Sequence, residues 1–214
     1  MKSIYKIGHR GAKGYFAENT LESMQYALFL GADGFEFDVH ACKTGELIVI
    51  HDFTLDRTTN GTGEIALTDF SEIQKLQVEG NYKIPLLEEV IEVFGSKCYL
   101  NIELKGLNTA EGTANLLTRY IAEGFVKTDN VIVSSFQKNE LFQLKKMNSN
   151  IPLAVLSKAS VTNAVEIAKQ LQAKAIHPGL GLITQQNVAE AQKEGFLVNA
   201  WTVNEPEDIE RIKS

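Results

Sequence analysis

Polar side chains that could do chemistry follow two short apolar segments near the N-terminus. His9 and Arg10 offer an imidazole for proton transfer and a planar guanidinium that suits a phosphate or carboxylate. Glu36 and Asp38 alternate with apolar residues in the segment 35–39, so a strand there places both carboxylates on one face. Burying unpaired carboxylates is costly, and the pair therefore requires a cation, a basic partner or water.

The segment 98–105 repeats this pattern and adds a third acidic residue. Glu103 and Lys105 fall on one face of a strand, which makes Glu103 a third candidate oxygen ligand. Three carboxylates without a cysteine describe a site for a hard cation such as Mg²⁺, Ca²⁺ or Mn²⁺. The alternative is a ring of salt bridges in which Lys105 neutralises Glu103 and Arg10 neutralises one of the other carboxylates.

A second histidine returns to the same region through a predicted hairpin. Only six residues separate the segments 34–40 and 47–51, which is too short for a parallel crossover and predicts an antiparallel pair. The hairpin brings His51 back to the end of the sheet that carries His9. The two imidazoles are then candidates for the general base and general acid around a phosphoryl group. Asp52 either orients His51 or starts the next turn.

Other polar residues have structural interpretations. Asn19 is predicted as the N-cap of a helix over 20–30, and Ser71 with Gln74 is predicted as a second capping pair. His40 is a candidate ligand, although the tip of the hairpin is its favoured position. Two aromatic residues near strand ends, Phe136 and Trp201, either wall a substrate pocket or belong to the core.

The elements that must position these residues alternate between strands and helices. Strands are predicted at 4–9, 34–40, 47–51, 98–104, 131–136, 152–156, 173–177 and 197–203, and helices at 20–30, 86–94, 110–123, 138–147, 161–171, 185–194 and 205–212. This alternation is typical of a parallel sheet built from repeated βα units. Without the hairpin strand, seven parallel strands remain, and the last helix ends where an eighth strand is expected. The stretch 52–84 breaks the rhythm and is predicted to be an inserted, functional region.

Composition limits the class of protein. The chain has 214 residues, 44% hydrophobic residues and a net charge of -6, without a basic run. Its size implies burial of about 70% of the chain's surface on folding, which is enough for one sizeable core. The charge makes nucleic acid an unexpected partner. Two distant cysteines favour a reducing compartment, and the absence of a signal-like or spanning apolar run predicts a soluble cytoplasmic protein without stable membrane insertion.

Several of these motifs, in this order and spacing, resemble the glycerophosphodiester phosphodiesterase family. The motifs are His9-Arg10-Gly11, Glu18-Asn19-Thr20, Glu36-Phe37-Asp38-Val39, His51-Asp52, Leu55-Asp56-Arg57-Thr58-Thr59 and Glu103-Leu104-Lys105. The resemblance extends from Tyr5 to Asn204 and covers most of the chain. It rests on separate motifs and not on one short pattern.

The resemblance implies a single domain over 1–214, a TIM (β/α)₈-type barrel with an insertion at about 41–84. It implies hydrolysis of glycerophosphodiesters, as small-molecule substrates, to sn-glycerol 3-phosphate and an alcohol with a divalent metal, Mg²⁺ or Ca²⁺. The implied roles are an acid/base pair of His9 and His51, metal ligands Glu36, Asp38 and Glu103, a phosphate clamp of Arg10 and Lys105, and glycerol contacts from Phe136 and Trp201. By comparison with the family pattern, we expect the eighth strand of the barrel to be missing from this chain.

Two alternatives stay open at this level. One is a lysophospholipase D-like phosphodiesterase on the same barrel, which an exposed apolar patch beside the mouth would favour. The other is a catalytically silent phosphate-binding barrel, in which the carboxylates are salt-bridged and the histidines only hydrogen-bond. The sequence also leaves room for a homo-oligomer.

Overall fold

Seven parallel strands and one antiparallel strand form a single sheet in the computed structural model, which describes residues 4–213. The strands are β1 (Ile7–His9), β2 (Gly34–Ala41), β3 (Leu47–Val49), β4 (Tyr99–Leu104), β5 (Val131–Ser135), β6 (Leu153–Ser157), β7 (Ala175–Pro178) and β8 (Leu197–Val198). The parallel order is β1-β2-β4-β5-β6-β7-β8, and β3 pairs antiparallel with β2. The predicted hairpin is therefore confirmed.

Helices follow the strands, and all of them except the short one at Phe70–Ile73, which lies in the inserted segment, are in the predicted places. They are α1 (Leu21–Phe29), α2 (Phe70–Ile73), α3 (Leu87–Phe94), α4 (Ala110–Ala122), α5 (Lys138–Met147), α6 (Val161–Leu171), α7 (Gln185–Lys193) and α8 (Pro206–Lys213). Side-chain oxygens of Thr20, Ser160 and Thr184 each accept the backbone N–H three residues on, and so cap α1, α6 and α7. The predicted capping by Ser71 and Gln74 is wrong, because Asp69 is the N-cap residue of α2. Among the described residues, none of the helices has the length and apolarity needed to cross a membrane.

The sheet curves until its two end strands approach each other at one end. The hydroxyl of Thr202, just beyond β8, lies 3.5 Å from Nδ1 of His9, the last residue of β1. Within residues 4–213, β1 and β8 form no backbone pairing with one another. The structure therefore confirms the predicted TIM-barrel type with seven of its eight parallel strands.

Strand β2 separates apolar from acidic side chains as the period of two predicts. Phe35, Phe37 and Val39 are fully buried in the main core between the sheet and the helices. The Phe35 ring packs edge-on against Phe94 of α3, with 5.0 Å between ring centroids. Alternation along the strand then turns the intervening residues toward the interior of the barrel.

The segment between β3 and α3 packs around a second, smaller core. This core consists of Cys42, Ile48, Ile50, Leu55, Ile65, Ile73, Val78 and Ile84. Ala17, from the loop between β1 and α1, packs against it. The inserted segment therefore lies against the loop that follows the first strand, at the C-terminal end of the barrel.

A buried carboxylate fixes the loop that follows β4. Glu140 of α5 accepts backbone N–H bonds from Asn108, Thr109 and Ala110, at 2.9, 2.9 and 2.8 Å. These donors belong to the beginning of α4, whose first N–H groups have no partner within the helix. Glu140 thereby holds the chain just beyond Lys105.

The core packing makes a direct prediction for Leu100, which is fully buried in β4. Leu100→Ala removes three carbon atoms from a closely packed layer and should lower the free energy of unfolding by about 2–5 kcal/mol. Urea denaturation followed by circular dichroism measures the change. Leu67→Ala, at a position that is 69% exposed, is the matched control, and its free energy of unfolding should stay near that of the parent protein. Equal effects in both variants would contradict this packing.

Candidate active site

Three carboxylates meet at the C-terminal ends of two neighbouring strands. In the pairing of β2 with β4, Asp38 stands beside Glu103, and Glu36 stands two residues earlier on the same face of β2. One oxygen from each of the three side chains lies within 4.8 Å of the others, and all three residues are buried. The structure thus brings together the three residues that the sequence analysis singled out as oxygen ligands.

Two cations lie against this acidic cluster. Nζ of Lys105 is 2.9 Å from Oε1 of Glu103 and 3.4 Å from Oδ1 of Asp38. Nε of Arg10 is 3.5 Å from Oδ2 of Asp38, and its backbone N–H donates to Oε2 of Glu36. The salt bridges considered as an alternative in the sequence are therefore present.

These salt bridges do not neutralise the cluster. Three carboxylates face two cations, and Oε1 of Glu36 is buried without a hydrogen-bond partner. A buried oxygen of this kind costs free energy unless a donor or a cation binds it. The all-oxygen donor set is that of Mg²⁺ or Ca²⁺. The residues present therefore fit a divalent cation.

The pKa shifts of the buried carboxylates also favour a bound cation. Burial, with the nearby charges of Asp38 and Glu103, raises the pKa of Glu36 well above its usual value. Burial and Asp38 also raise the pKa of Glu103, although Lys105 opposes this shift. Like charges held in a low dielectric disfavour ionisation, and a bound cation reverses that effect.

Asn19 holds Asp38 in place. Its Nδ2 donates to Oδ2 of Asp38 at 3.0 Å, and the backbone N–H of Asp38 donates back to Oδ1 of Asn19 at 3.3 Å. The predicted N-cap role of Asn19 is wrong, because Thr20 caps α1. Asn19 instead has a φ of 61°, a left-handed conformation that asparagine tolerates better than most residues. Only the fold could reveal this contact across 19 residues.

The two histidines lie at the rim of the cluster, each about one quarter exposed at the side chain. Nε2 of His9 is 3.9 Å from Oε2 of Glu36. Burial, together with the positive charges of Lys13 and Arg10, lowers the pKa of His9 to about 4. His9 is therefore neutral near pH 7 and able to accept a proton.

His51 is held by its neighbour in sequence. Its Nδ1 lies 2.6 Å from Oδ1 of Asp52, which decides between the two alternatives for Asp52 in favour of orientation. A carboxylate only accepts hydrogen bonds, so Nδ1 carries the proton and Nε2 is the nitrogen left for proton transfer. Burial lowers the pKa of His51, and Asp38 and Asp52 partly offset this effect.

His40 contacts the backbone of His51. The predicted place in the hairpin tip is wrong, because His40 lies within β2 opposite Ile48. Its ring is buried, and Nε2 contacts the backbone carbonyl oxygen of His51 at 3.1 Å. His40 is not part of the acidic cluster among the described residues, and it fixes the backbone that carries His51.

Phe136 and Trp201 form an aromatic wall beside the cations. Their ring centroids are 5.6 Å apart in an edge-to-face arrangement. Lys105 lies 6.0 Å from the centre of the Phe136 ring, and Lys158 lies within 5.4 Å of the centres of both rings. Aromatic faces attract cations at such distances. The structure thus brings both predicted aromatic residues to the mouth, together with Lys158, which the sequence did not single out.

The chain is similar in sequence and fold to known enzymes. The sequence profile of the glycerophosphoryl diester phosphodiesterase family matches residues 9–214. The glycerophosphodiester phosphodiesterase of Caldanaerobacter subterraneus is 36% identical over 99% of this chain and 90% of its own length. That of Bacillus subtilis is 32% identical over 98% of this chain and 80% of its own length.

Solved structures show the same fold. A phosphodiesterase of Oleispira antarctica, in complex with the product sn-glycerol-3-phosphate, aligns with a TM-score of 0.87 and 28% identity. The alignment covers 97% of this chain and 87% of that one. A glycerophosphodiester phosphodiesterase from Thermotoga maritima aligns with a TM-score of 0.79 and 27% identity, over 100% of this chain and 92% of that one.

A buried histidine on β7 generates a prediction for stability. Nε2 of His177 accepts a hydrogen bond from Asn199, and burial lowers the pKa of His177 to about 4. Between its ordinary pKa of ~6.5 and this value, the unfolded chain binds a proton that the folded chain does not. Stability should therefore fall as the pH falls through this window, by roughly 1.4 kcal/mol per pH unit from this group.

Urea denaturation at about pH 7.5 and about pH 5 measures this contribution. His177→Gln cannot titrate, so its loss of stability between the two pH values should be smaller than that of the parent protein. The comparison uses the change with pH, and a general destabilisation of the variant does not affect it. The same change in both proteins would show that His177 is not buried as a neutral imidazole.

Proposed function

The chain belongs to the glycerophosphoryl diester phosphodiesterase family, and we propose that it hydrolyses glycerophosphodiesters with a divalent cation, Mg²⁺ or Ca²⁺, held by three carboxylates. The ligands are Glu36, Asp38 and Glu103. The observation that carries the proposal is the unpartnered, buried Oε1 of Glu36 beside two other carboxylates. The products are sn-glycerol 3-phosphate, the ligand of the Oleispira enzyme, and the alcohol of the head group.

Arg10 and Lys105 supply positive charge to the bound phosphodiester in this proposal. Arg10 presents a planar fork of donors and Lys105 a flexible ammonium, and both lie at the rim of the acidic cluster. A phosphodiester is anionic and gains charge on its oxygens during hydrolysis, so these donors stabilise the transition state more than the ground state. A divalent cation bound to the carboxylates would polarise the same phosphoryl group.

The two histidines divide the proton transfers between them. His9 is neutral near pH 7 and accepts the proton of the attacking hydroxyl, whether of water or of the glycerol 2-hydroxyl. His51 takes up a proton from solvent on Nε2 and gives it to the leaving alcohol, and the carboxylate of Asp52 stabilises the imidazolium between these two steps. Phe136 and Trp201 wall the glycerol moiety.

A specific observation favours one further substrate class. Tyr15 and Phe53, on loops at the mouth, are 69% and 57% exposed. Exposed aromatic side chains near the site suit the acyl chain of a lysophospholipid, which makes lysophospholipase D-like hydrolysis the second candidate. The free thiols of Cys42 and Cys98 support the proposal that the enzyme works in the cytoplasm.

The decisive experiment measures release of glycerol 3-phosphate from glycerophosphoethanolamine with Mg²⁺, with Ca²⁺ and with a chelator. We expect release that depends on the cation and is lost in His51→Ala, while circular dichroism shows the variant folded. Lysophosphatidylethanolamine is tested in parallel for release of ethanolamine. Release from the lysophospholipid alone would select the second candidate.

Two results would overturn the proposal. Full release in the presence of chelator would exclude the cation, and undiminished activity of His51→Ala would exclude the acid/base role. No release from either substrate by a folded chain would support a silent phosphate-binding barrel.

Asn19 provides a separate test of the cation site. Asn19→Gly keeps the left-handed backbone and removes both hydrogen bonds to Asp38. Because such supporting contacts orient metal ligands, we expect the affinity for Mg²⁺ or Mn²⁺ in titration calorimetry to fall roughly 10- to 100-fold. Asn108→Gly is the control, since Asn108 is also left-handed, with a φ of 61°, but its side chain is exposed. Equal affinities in both variants would contradict the role of Asn19.

A further inference from the structure

Arg57 joins the inserted segment to the loop that follows β1. Its Nε donates to Oδ2 of Asp52 at 2.6 Å, and its Nη2 donates to Oδ1 of the same carboxylate at 2.9 Å. Nη2 also donates to Oε1 of Glu18 at 2.7 Å. One guanidinium therefore binds both oxygens of Asp52 and also reaches the neighbouring loop that follows β1.

The two partners of Arg57 each hold a residue of the site. Asp52 binds Nδ1 of His51 through Oδ1, at 2.6 Å. Glu18 accepts a second hydrogen bond through Oε1, from Nη1 of Arg10 at 2.8 Å. The chain of contacts runs from His51 through Asp52, Arg57 and Glu18 to Arg10, and Arg57 is its central link.

We propose that Arg57 is a positioning residue that orients His51 through Asp52 and Arg10 through Glu18. This inference rests on the proposed function, in which His51 transfers a proton and Arg10 binds the phosphate. Arg57 itself touches neither the acidic cluster nor either histidine in the contacts of the described residues. Its role is to keep the acid, His51, and the phosphate-binding guanidinium of Arg10 in one arrangement.

The chemistry of the link requires a guanidinium. Arginine presents several donors in one rigid plane, so it fixes the plane of the Asp52 carboxylate and still has a nitrogen for Glu18. A lysine at this position is a single point charge and cannot hold both oxygens of Asp52 in one orientation. The hydrogen bonds from Arg57 also lower the pKa of Asp52, which keeps this carboxylate negative beside the His51 imidazole.

An ordinary surface ion pair is the competing explanation. The side chain of Arg57 is 48% exposed, and exposed ion pairs contribute little to stability. The two explanations differ in what they predict for catalysis. A surface pair can be removed without effect on turnover, whereas loss of a positioning residue changes turnover with little effect on folding.

The experiment compares Arg57→Gln and Arg57→Lys with Arg119→Gln in the full chain. Arg119 pairs with Glu88 on the helical surface and has nearly the same exposure, 49%, which makes it a matched control. Glycerophosphoethanolamine is the substrate, and kcat, KM and the pH profile of kcat/KM are measured with the melting temperature. Both Arg57 variants should lose roughly 10- to 100-fold in kcat with a displaced pH profile, whereas Arg119→Gln should match the parent protein.

Two further measurements test the route through Asp52. Asp52→Asn should lower kcat, and adding Arg57→Gln to it should cost less than in the parent background, because both changes break the same link. Guanidinium ions at millimolar concentration should partly restore the turnover of Arg57→Ala but not that of Asp52→Asn. Additive losses, without rescue, would show that Arg57 does not act through Asp52.

A spectroscopic readout separates this inference from the proposed function. Nitrogen-15 NMR reports which ring nitrogen of His51 carries the proton, whether or not the chain turns over substrate. We expect the Nδ1–H form in the parent protein and in Arg119→Gln, and a mixture of both forms in Arg57→Gln. An unchanged His51 signal together with parental kcat and pH profile in Arg57→Gln would overturn the inference.

Discussion

The burial of three carboxylates in one small space is the constraint on which the site depends. Glu36, Asp38 and Glu103 would repel one another in a low dielectric, and two cations leave one negative charge without compensation. The surrounding polar contacts hold these carboxylates and their partners in place. Asn19 holds Asp38 through two hydrogen bonds, and Glu140 fixes the loop after β4, where Lys105 contacts Glu103 and Asp38. A divalent cation at this site, as we propose, would more than offset the remaining negative charge.

The two faces of strand β2 make this burial possible. The apolar face of β2 packs against helices, so the strand is stable enough to carry two acids on its other face. The register of β2 with β4 then places Asp38 beside Glu103 without any loop in between. His51 arrives from the hairpin that follows, and the inserted segment closes against the loop after β1 through the Arg57 contacts.

The sequence predicted the features that depend on local periodicity or on chain length. Alternation in 35–39 placed two acids on one face, and a six-residue connection required an antiparallel hairpin. Contacts between distant residues were missed because residue type alone does not reveal them. An asparagine before a helix suits both an N-cap and a left-handed position, and only the position of Asp38 in space decides for Asn19. The contacts of Arg57 were missed for the same reason, because its two partners come from separate loops.

In the proposed mechanism, the three carboxylates bind a divalent cation on which hydrolysis depends. Crystals grown with Mn²⁺ and measured at wavelengths on both sides of the manganese absorption edge test it most directly, with Glu36→Gln as the comparison. We expect one strong anomalous peak among the oxygens of Glu36, Asp38 and Glu103, and its loss in the variant. The proposal would be contradicted if the crystals showed no peak and the carboxylates were paired only with Arg10 and Lys105, while the chain still hydrolysed glycerophosphodiesters.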